Sequence, residues 1–350
     1  MKTIQWYVDK DVDNLMSNPQ LDEAANLLKK NEVVAFPTET VYGLGANAKS
    51  DLAVAKIYEA KGRPSDNPLI VHIAELNQLE ELVTFVPEKA NLLINRFWPG
   101  PLTIILNREP NILSEKVTPG MDTVAIRMPD HPIALELIRK AQLPIAAPSA
   151  NRSGKPSPTI AEHVLEDLNG QISGVVNGGD TGVGVESTVI DCTQEIPMIL
   201  RPGGISKEEI ENVVGEVFID PSINEETPSR PKSPGMKYTH YAPDAPVYLV
   251  NGTFSFLQDL VNKKQREGLK VGVIATEETK KDYHADVVLA CGRRSDLQSV
   301  AHSLYETLRT FNSKDVDIIY SETFPLEGIG LAIMNRLEKA AGHRWIHQNQ

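Results

Sequence analysis

Lys61-Gly62-Arg63-Pro64-Ser65-Asp66-Asn67-Pro68, running into Leu69-Ile70-Val71-His72-Ile73, is the stretch from which the rest of the chain can be read. Two cations stand two residues apart, beside a glycine that loosens the backbone and a proline that restricts Arg63 to extended geometry. A regular element cannot run through them. Leu52, Ala55, Lys56, Ile57 and Tyr58 predict a short helix before the loop, and the β-branched run after it predicts a buried strand. A rigid cationic loop thus joins a helix end to a strand start. An ammonium next to a planar guanidinium suits a polyphosphate, the first as a point charge and the second as a two-pronged donor. Placement at a helix C-terminus for dipole reasons alone is the other reading of the same cations.

Similar punctuation recurs along the chain. Val33 to Phe36 reads as a strand ended by Pro37, and the polar, glycine-containing Thr38-Glu39-Thr40-Val41-Tyr42-Gly43-Leu44-Gly45 reads as a loop at its C-terminal end, where open α/β sheets place ligands. It lacks the lysine and the spacing of a P-loop. Residues 75–97 predict helix with a break near Pro87, Leu102 to Leu106 a strand, and residues 131–141 a helix. Thr123-Val124-Ala125-Ile126-Arg127 predicts a strand with Thr123, Ala125 and Arg127 on one face, and an arginine there is costly to bury unless an anion meets it. Pro144 to Ala147 leads into Pro148-Ser149-Ala150-Asn151-Arg152, again hydroxyl, amide and cation at a strand end. Three such ends suggest one site. Residues 174–177 and 187–191 read as short strands joined by a segment with four glycines, suited either to close backbone approach to a ligand or to a plain hairpin. Met198 to Arg201 is another strand, and Ser206 with Glu209 predicts a capping box opening a helix over 207–214.

At 350 residues two domains are expected. Hydrophobic content of 41% and charged content of 23% are ordinary for a globular chain. No apolar run approaches the roughly 20 residues of a membrane span, and no signal-peptide pattern opens the sequence, so no membrane role and a cytoplasmic location are expected. Two cysteines, Cys192 and Cys291, are too few for a disulfide framework or zinc site. The net charge of −12 lies wholly within residues 1–220, which carry 19 Lys and Arg against 31 Asp and Glu. That balance argues against a broad nucleic-acid face and for cations placed around one anionic ligand. Prolines punctuate residues 221–246 as an extended linker that nonetheless carries Tyr238, His240 and Tyr241, content suited to a lid. From residue 247, strands near 247–250, 271–275, 286–290 and 317–320 alternate with helices near 254–265, 296–312 and 329–341, the pattern of a doubly wound parallel sheet without a dinucleotide fingerprint.

Lys61-x-Arg63, Ser149-x-Asn151, the Pro37-to-Leu44 loop and Ser233-Pro234-Gly235-Met236-Lys237-Tyr238-Thr239-His240-Tyr241-Ala242-Pro243 together resemble the threonylcarbamoyl-AMP synthases in their long, two-domain form. The resemblance covers essentially the whole chain. It implies an α/β architecture with a YrdC-like twisted open mixed sheet over 1–220, a linker or lid over 221–246, and a smaller Rossmann-like domain over 247–350. It implies an enzyme that condenses L-threonine, bicarbonate and ATP, with Mg2+ accompanying the ATP, into threonylcarbamoyl-AMP and pyrophosphate. A partner complex then transfers the threonylcarbamoyl group to tRNA. By the same resemblance Thr38, His72, Arg127 and Ser187 belong to the threonine and bicarbonate side. Lys61, Arg63, Asn67, Thr123, Ser149, Asn151 and Arg201 belong to ATP, with Lys61 and Arg63 catalytic, and Tyr238 or Tyr241 covers the nucleotide. No protein metal ligand is assigned. The competing class is a double-stranded RNA or tRNA binding module, against which the acidic balance weighs.

Overall fold

The computed structural model describes residues 2–11, 13–224 and 241–348. The chain divides into two compact units, the first Met1–Ser153, Ser157–Gly182 and Glu186–Lys237, the second Gly154–Pro156, Val183–Val185 and Tyr238–Gln350.

The first unit carries strands β1 (Ile4–Tyr7), β2 (Val34–Phe36), β3 (Gly43–Asn47), β4 (Ile70–His72), β5 (Leu102–Asn107), β6 (Thr123–Arg127), β7 (Ile145–Ala146), β8 (Gly174–Asn177), β9 (Thr188–Asp191), β10 (Met198–Arg201) and β11 (Phe218–Ile219). They form one mixed sheet in the order β1-β8-β2-β3-β7-β4-β6-β5-β9-β10-β11. Its helices are α1 (Pro19–Lys29), α2 (Asp51–Lys61), α3 (Leu76–Leu82), α4 (Glu88–Phe97), α5 (Pro132–Ala141), α6 (Ala161–Leu168) and α7 (Lys207–Val214).

Local chemistry sets the helix ends. Ser50 caps α2 by accepting from the Ala53 amide, and Gly62 ends it in the left-handed region at φ 59°, which leaves Lys61 in the last turn and starts the cationic loop. The 75–97 stretch breaks at Pro87, the N-cap of α4. The capping box of Ser206 and Glu209 opens α7 as its sequence requires.

Alternating strand residues feed two apolar layers. Val34 and Phe36 pack with Leu21 and Leu28 of α1 and Leu137 and Ile138 of α5. Ala35 between them joins the larger core with Val54 and Ile57 of α2 and Leu93 of α4. Each leucine so buried stabilises the fold by about 1.5–3 kcal/mol. A third, smaller layer consists of Ile70, Ile105, Ala125, Val189 and Leu200, all strand residues of β4, β5, β6, β9 and β10. Thr123 and Arg127 flank Ala125 on that face, as the alternation predicts.

Two expectations are corrected. Residues 43–47 are not the tail of a loop but a strand, β3, antiparallel to β2 and β7. Its glycines disguise it, yet a Cβ on Gly45 would come within 2.7 Å of the Phe36 ring and 2.9 Å of Ile145 Cγ2, so only glycine fits. The glycine-rich segment after residue 177 is not a hairpin either. β8 pairs with β1 and β2, whereas β9 pairs with β5 and β10, so the segment crosses between distant positions of the sheet.

The second unit contains β12 (Val247–Asn251), α8 (Phe254–Arg266), β13 (Val271–Ala275), β14 (Val287–Ala290), α9 (Leu297–Phe311), β15 (Ile318–Ser321), α10 (Ile329–Ala340) and β16 (Trp345–His347). Every pair in its sheet is parallel, in the order β14-β13-β15-β12-β16. β16 was not anticipated, because a three-residue terminal strand carries no periodicity to read. Among the described residues no helix is long and apolar enough to cross a membrane.

Candidate active site

The site grows from the strand face bearing Ala125. Parallel pairing of β4 with β6 sets His72 opposite Arg127. Both are buried, at 3% and 4% exposure. Arg127 Nε donates to the Gly100 carbonyl at 3.2 Å and Nη1 to Thr40 Oγ1 at 2.9 Å, while Nη2 stands 2.6 Å from Glu39 Oε1. The anion that the buried arginine requires is thus supplied by the neighbouring loop. Burial and the nearby Arg127 charge push the His72 imidazole down to about 3, so it is neutral at physiological pH.

Thr38 organises that loop. Its Oγ1 donates to the Val41 carbonyl at 2.7 Å, lies 2.9 Å from Thr40 Oγ1 and accepts from the Thr40 and Val41 amides, a tight hydroxyl-centred turn. Thr38 therefore aims Glu39 and Thr40 at Arg127. Further along the loop, the Gly43–Ser149 bridge, the Leu44 amide on the Pro148 carbonyl and the Ala150 amide on the Tyr42 carbonyl lace it to residues 148–151.

Those residues are held from the other side by Lys61. The ammonium, 3% exposed, donates to the carbonyls of Ser149 and Asn151, and Ser149 Oγ lies 2.6 Å from Asn151 Oδ1. Arg63 Nη2 reaches the Pro68 carbonyl at 3.3 Å, and Tyr58 Oη donates to the Asn67 carbonyl at 2.9 Å, fixing the cationic turn. Asn67 is buried, and its Oδ1 accepts no hydrogen bond among the described residues.

At the β9 edge, Arg201 donates to the Ser187 carbonyl from Nε at 3.1 Å and Nη2 at 2.9 Å and reaches Ser187 Oγ at 3.1 Å. Ser187 Oγ also lies 2.8 Å from Thr103 Oγ1. A Cβ on Gly203 would stand 2.3 Å from the backbone of Ser187 and Thr188, so this close approach demands glycine. Thr123 opens β6 opposite Asn107 and is half-buried.

Lys61, Arg63, Asn67, Ser149 and Asn151 therefore gather around the cationic turn, and His72, Arg127 and Thr38 around the strand face. Ser187 and Arg201 pair at its β9 edge, and the 38–43 loop touches both of the first two groups. Tyr241 belongs to the second unit, where its ring packs 5.1 Å from that of Tyr305 and the Arg336 guanidinium lies 5.9 Å from it. Tyr238 lies outside the described residues. Sequence reasoning missed Glu39, Thr40, Thr103 and His131. For Glu39 the available signal was a lone carboxylate between two threonines, at a strand end in a chain where the other marked residues are cations.

Residues 26–203 match a family model described as "Telomere recombination" (Sua5, YciO and YrdC), and residues 205–342 match "Threonylcarbamoyl-AMP synthase, C-terminal domain". A synthase of that name from Bacillus subtilis is 59% identical, over 99% of this chain and 100% of its own. Its namesake from Pyrococcus abyssi is 50% identical, over 92% of this chain and 94% of its own. The crystal structure of P. abyssi Sua5 complexed with L-threonine superposes with a TM-score of 0.93, at 48% identity, over 99% of this chain and 100% of that one. The fold and site define a two-domain protein of the YrdC-like class. Within that class, the chain belongs to the threonylcarbamoyl-AMP synthase family.

Proposed function

We propose that the chain condenses L-threonine, bicarbonate and ATP into threonylcarbamoyl-AMP and pyrophosphate, for delivery to a tRNA-modifying transferase complex. The observation that carries the reading is a buried arginine on the β6 strand face together with a cationic turn, on a chain related over its full length to enzymes of that name. In reaction terms it is a nucleotidyl transfer. Threonine nitrogen bonds to the carbon of bicarbonate as its hydroxyl leaves as water, the resulting carbamate oxygen attacks the α-phosphorus, and the bond from that phosphorus to the β-phosphate bridging oxygen breaks to release pyrophosphate.

Negative charge accumulates where carbamate meets triphosphate. Arg63, Lys61 and Arg201 offset it, and holding both reactants in place supplies much of the remaining acceleration. Lys61 also braces residues 149–151, so its removal would disturb the nucleotide side through the backbone as well as through charge. Arg127 takes the threonine carboxylate in its planar fork, with His72 a neutral neighbour that adds no competing charge. Mg2+ is expected to arrive on the ATP phosphates, where it neutralises charge. Among the described residues no group of three or more His, Cys, Asp or Glu could hold a metal by itself.

The test is pyrophosphate release from MgATP with and without L-threonine plus bicarbonate, with L-serine as control. Release that requires both supports the reading. Release indifferent to threonine overturns it.

A further inference from the structure

Buried polar atoms without partners concentrate beside Arg127. Neither carboxylate oxygen of Glu39 makes a hydrogen bond among the described residues, although the side chain is only 12% exposed. The 2.6 Å approach to Arg127 Nη2 is an ion pair without hydrogen-bond alignment, and that Nη2 is itself without a hydrogen bond. His131, 5% exposed and near enough to Glu39 to feel its charge, has neither ring nitrogen bonded. Leaving a buried polar group unsatisfied costs about 1–3 kcal/mol, and more for a charge. Together they describe a place prepared for a polar group of two ends: the Glu39 oxygens call for a hydrogen-bond donor, while Arg127 Nη2 calls for an acceptor.

The donor's chemistry follows from the charges. Arg127 and Glu39 present a cation and an anion side by side, the complement of an α-amino acid zwitterion. The charged and titratable groups around Glu39 are Arg127 from β6 and Asp130 and His131 from the turn before α5, with Lys10 acting on His131. Burial holds His131 down at about 4, so at neutral pH it is uncharged and Arg127 alone balances Glu39.

Resting on the proposed reaction, we propose that Glu39 receives the α-ammonium of threonine and accepts the proton that must leave before the nitrogen can attack bicarbonate. Two protons leave the nitrogen in total. One goes to Glu39 and the other to the hydroxyl of bicarbonate, which departs as water as the N–C bond forms. Glu39 then returns its proton to solvent. Nothing is oxidised or reduced, and the carbamate is left with the charge it uses on the α-phosphorus.

The experiment follows Glu39→Gln from pH 6.5 to 9.5, reading threonine- and bicarbonate-dependent pyrophosphate release, KM for ATP, and the thermal unfolding midpoint. At pH 7.5 kcat/KM for threonine should fall at least 100-fold with KM for ATP unchanged. The deficit should shrink by about tenfold per pH unit as free amine replaces ammonium, a slope the wild type does not show. A deficit of equal size at every pH would mean that Glu39 only holds Arg127 in place and would overturn the proposal, as would full activity. If Glu39→Gln does not fold, Glu39→Asp decides. Its carboxylate, withdrawn by one methylene, should lose at least tenfold in kcat while keeping the wild-type pH profile, and undiminished kcat overturns the proposal. Failure of the underlying reaction is separate and visible in the wild type itself, as pyrophosphate release that ignores threonine and bicarbonate.

Discussion

Two arginine–carboxylate pairs in this molecule have the same 2.6 Å separation and opposite surroundings. In the second unit, Arg294 Nη2 donates to Glu322 Oε2 in good geometry, Nη1 donates to the Thr323 carbonyl, and Glu322 also accepts from Thr279 Oγ1. In the first unit, Arg127 and Glu39 meet at the same distance, but Glu39 has no hydrogen bond among the described residues. One carboxylate is consumed by its own fold; the other keeps its bonding capacity. Distance alone does not separate a structural ion pair from a prepared site, whereas the count of satisfied lone pairs does. The first pair is expected to govern turnover and the second stability.

The hardest blow to that comparison is Arg127→Met. It removes the cation and leaves Glu39 buried without a counter-charge, so stability should drop by about 3–5 kcal/mol and turnover by about 100- to 1000-fold. Adding Glu39→Gln should restore most of the stability and none of the activity. Chemical denaturation and pyrophosphate release measure the two effects separately. A stable, active Arg127→Met would erase the distinction between the pairs.

Next in size, Arg63→Ala should lower adenylate formation by about 100-fold, in line with loss of one charge-stabilising donor, and leave the unfolding midpoint near wild type. Its guanidinium donates to carbonyls of its own turn, at Asn67 and Pro68. A wild-type rate would remove the turn from the nucleotide side.

How far these features were legible in the sequence depends on what each residue signals alone. The second unit's alternation of β-branched runs and amphipathic helices could be read because each element carries its own period, and the strands at 247, 271, 287 and 318 fall within a residue of their expected starts. The cationic turn and the polar strand ends were legible because glycine and proline mark breaks. β3 was not, since Gly43-Leu44-Gly45-Ala46-Asn47 has no β-branched residue and owes its extended form to the neighbours that crowd Gly45. Nor was the strand order, which depends on long-range pairing such as β5 with β9. Arg127 was recognised as needing an anion, but its partner came from a loop 88 residues upstream in sequence, read only as polar. His131 before Pro132 looked like a helix start, which it is; its unbonded ring becomes apparent only when the loop carrying Glu39 folds beside it.

Glu322→Gln probes the other pair. Replacing the carboxylate leaves Arg294 and Thr279 short of an acceptor, and with the Arg294 side chain 41% exposed water offsets part of the loss. A decrease of about 1–3 kcal/mol is expected, with kcat and KM for threonine unchanged. A shift in threonine KM with no loss of stability would reverse the roles of the two pairs.

The smallest effect concerns acid. His72 and His131, both in the first unit, have folded-state values of about 3 and about 4, depressed below the ordinary value near 6.5. The unfolded chain therefore binds more protons than the folded one between those limits, and stability must rise with pH there. It is fully present above about pH 6.5 and is lost as pH falls through the window toward the folded values, at a slope of about 1.4 kcal/mol per pH unit for each histidine. His131→Asn should flatten the unfolding free energy measured from pH 6.5 down to 4.5 by about half, at some cost to stability at neutral pH, while Glu322→Gln should leave the slope as it is. Because the two histidines flank the pair with unspent capacity, an unaltered slope in His131→Asn would indicate that the imidazole gains a partner in solution. The unmet hydrogen-bonding capacity around Glu39 would then rest on Glu39 and Arg127 alone.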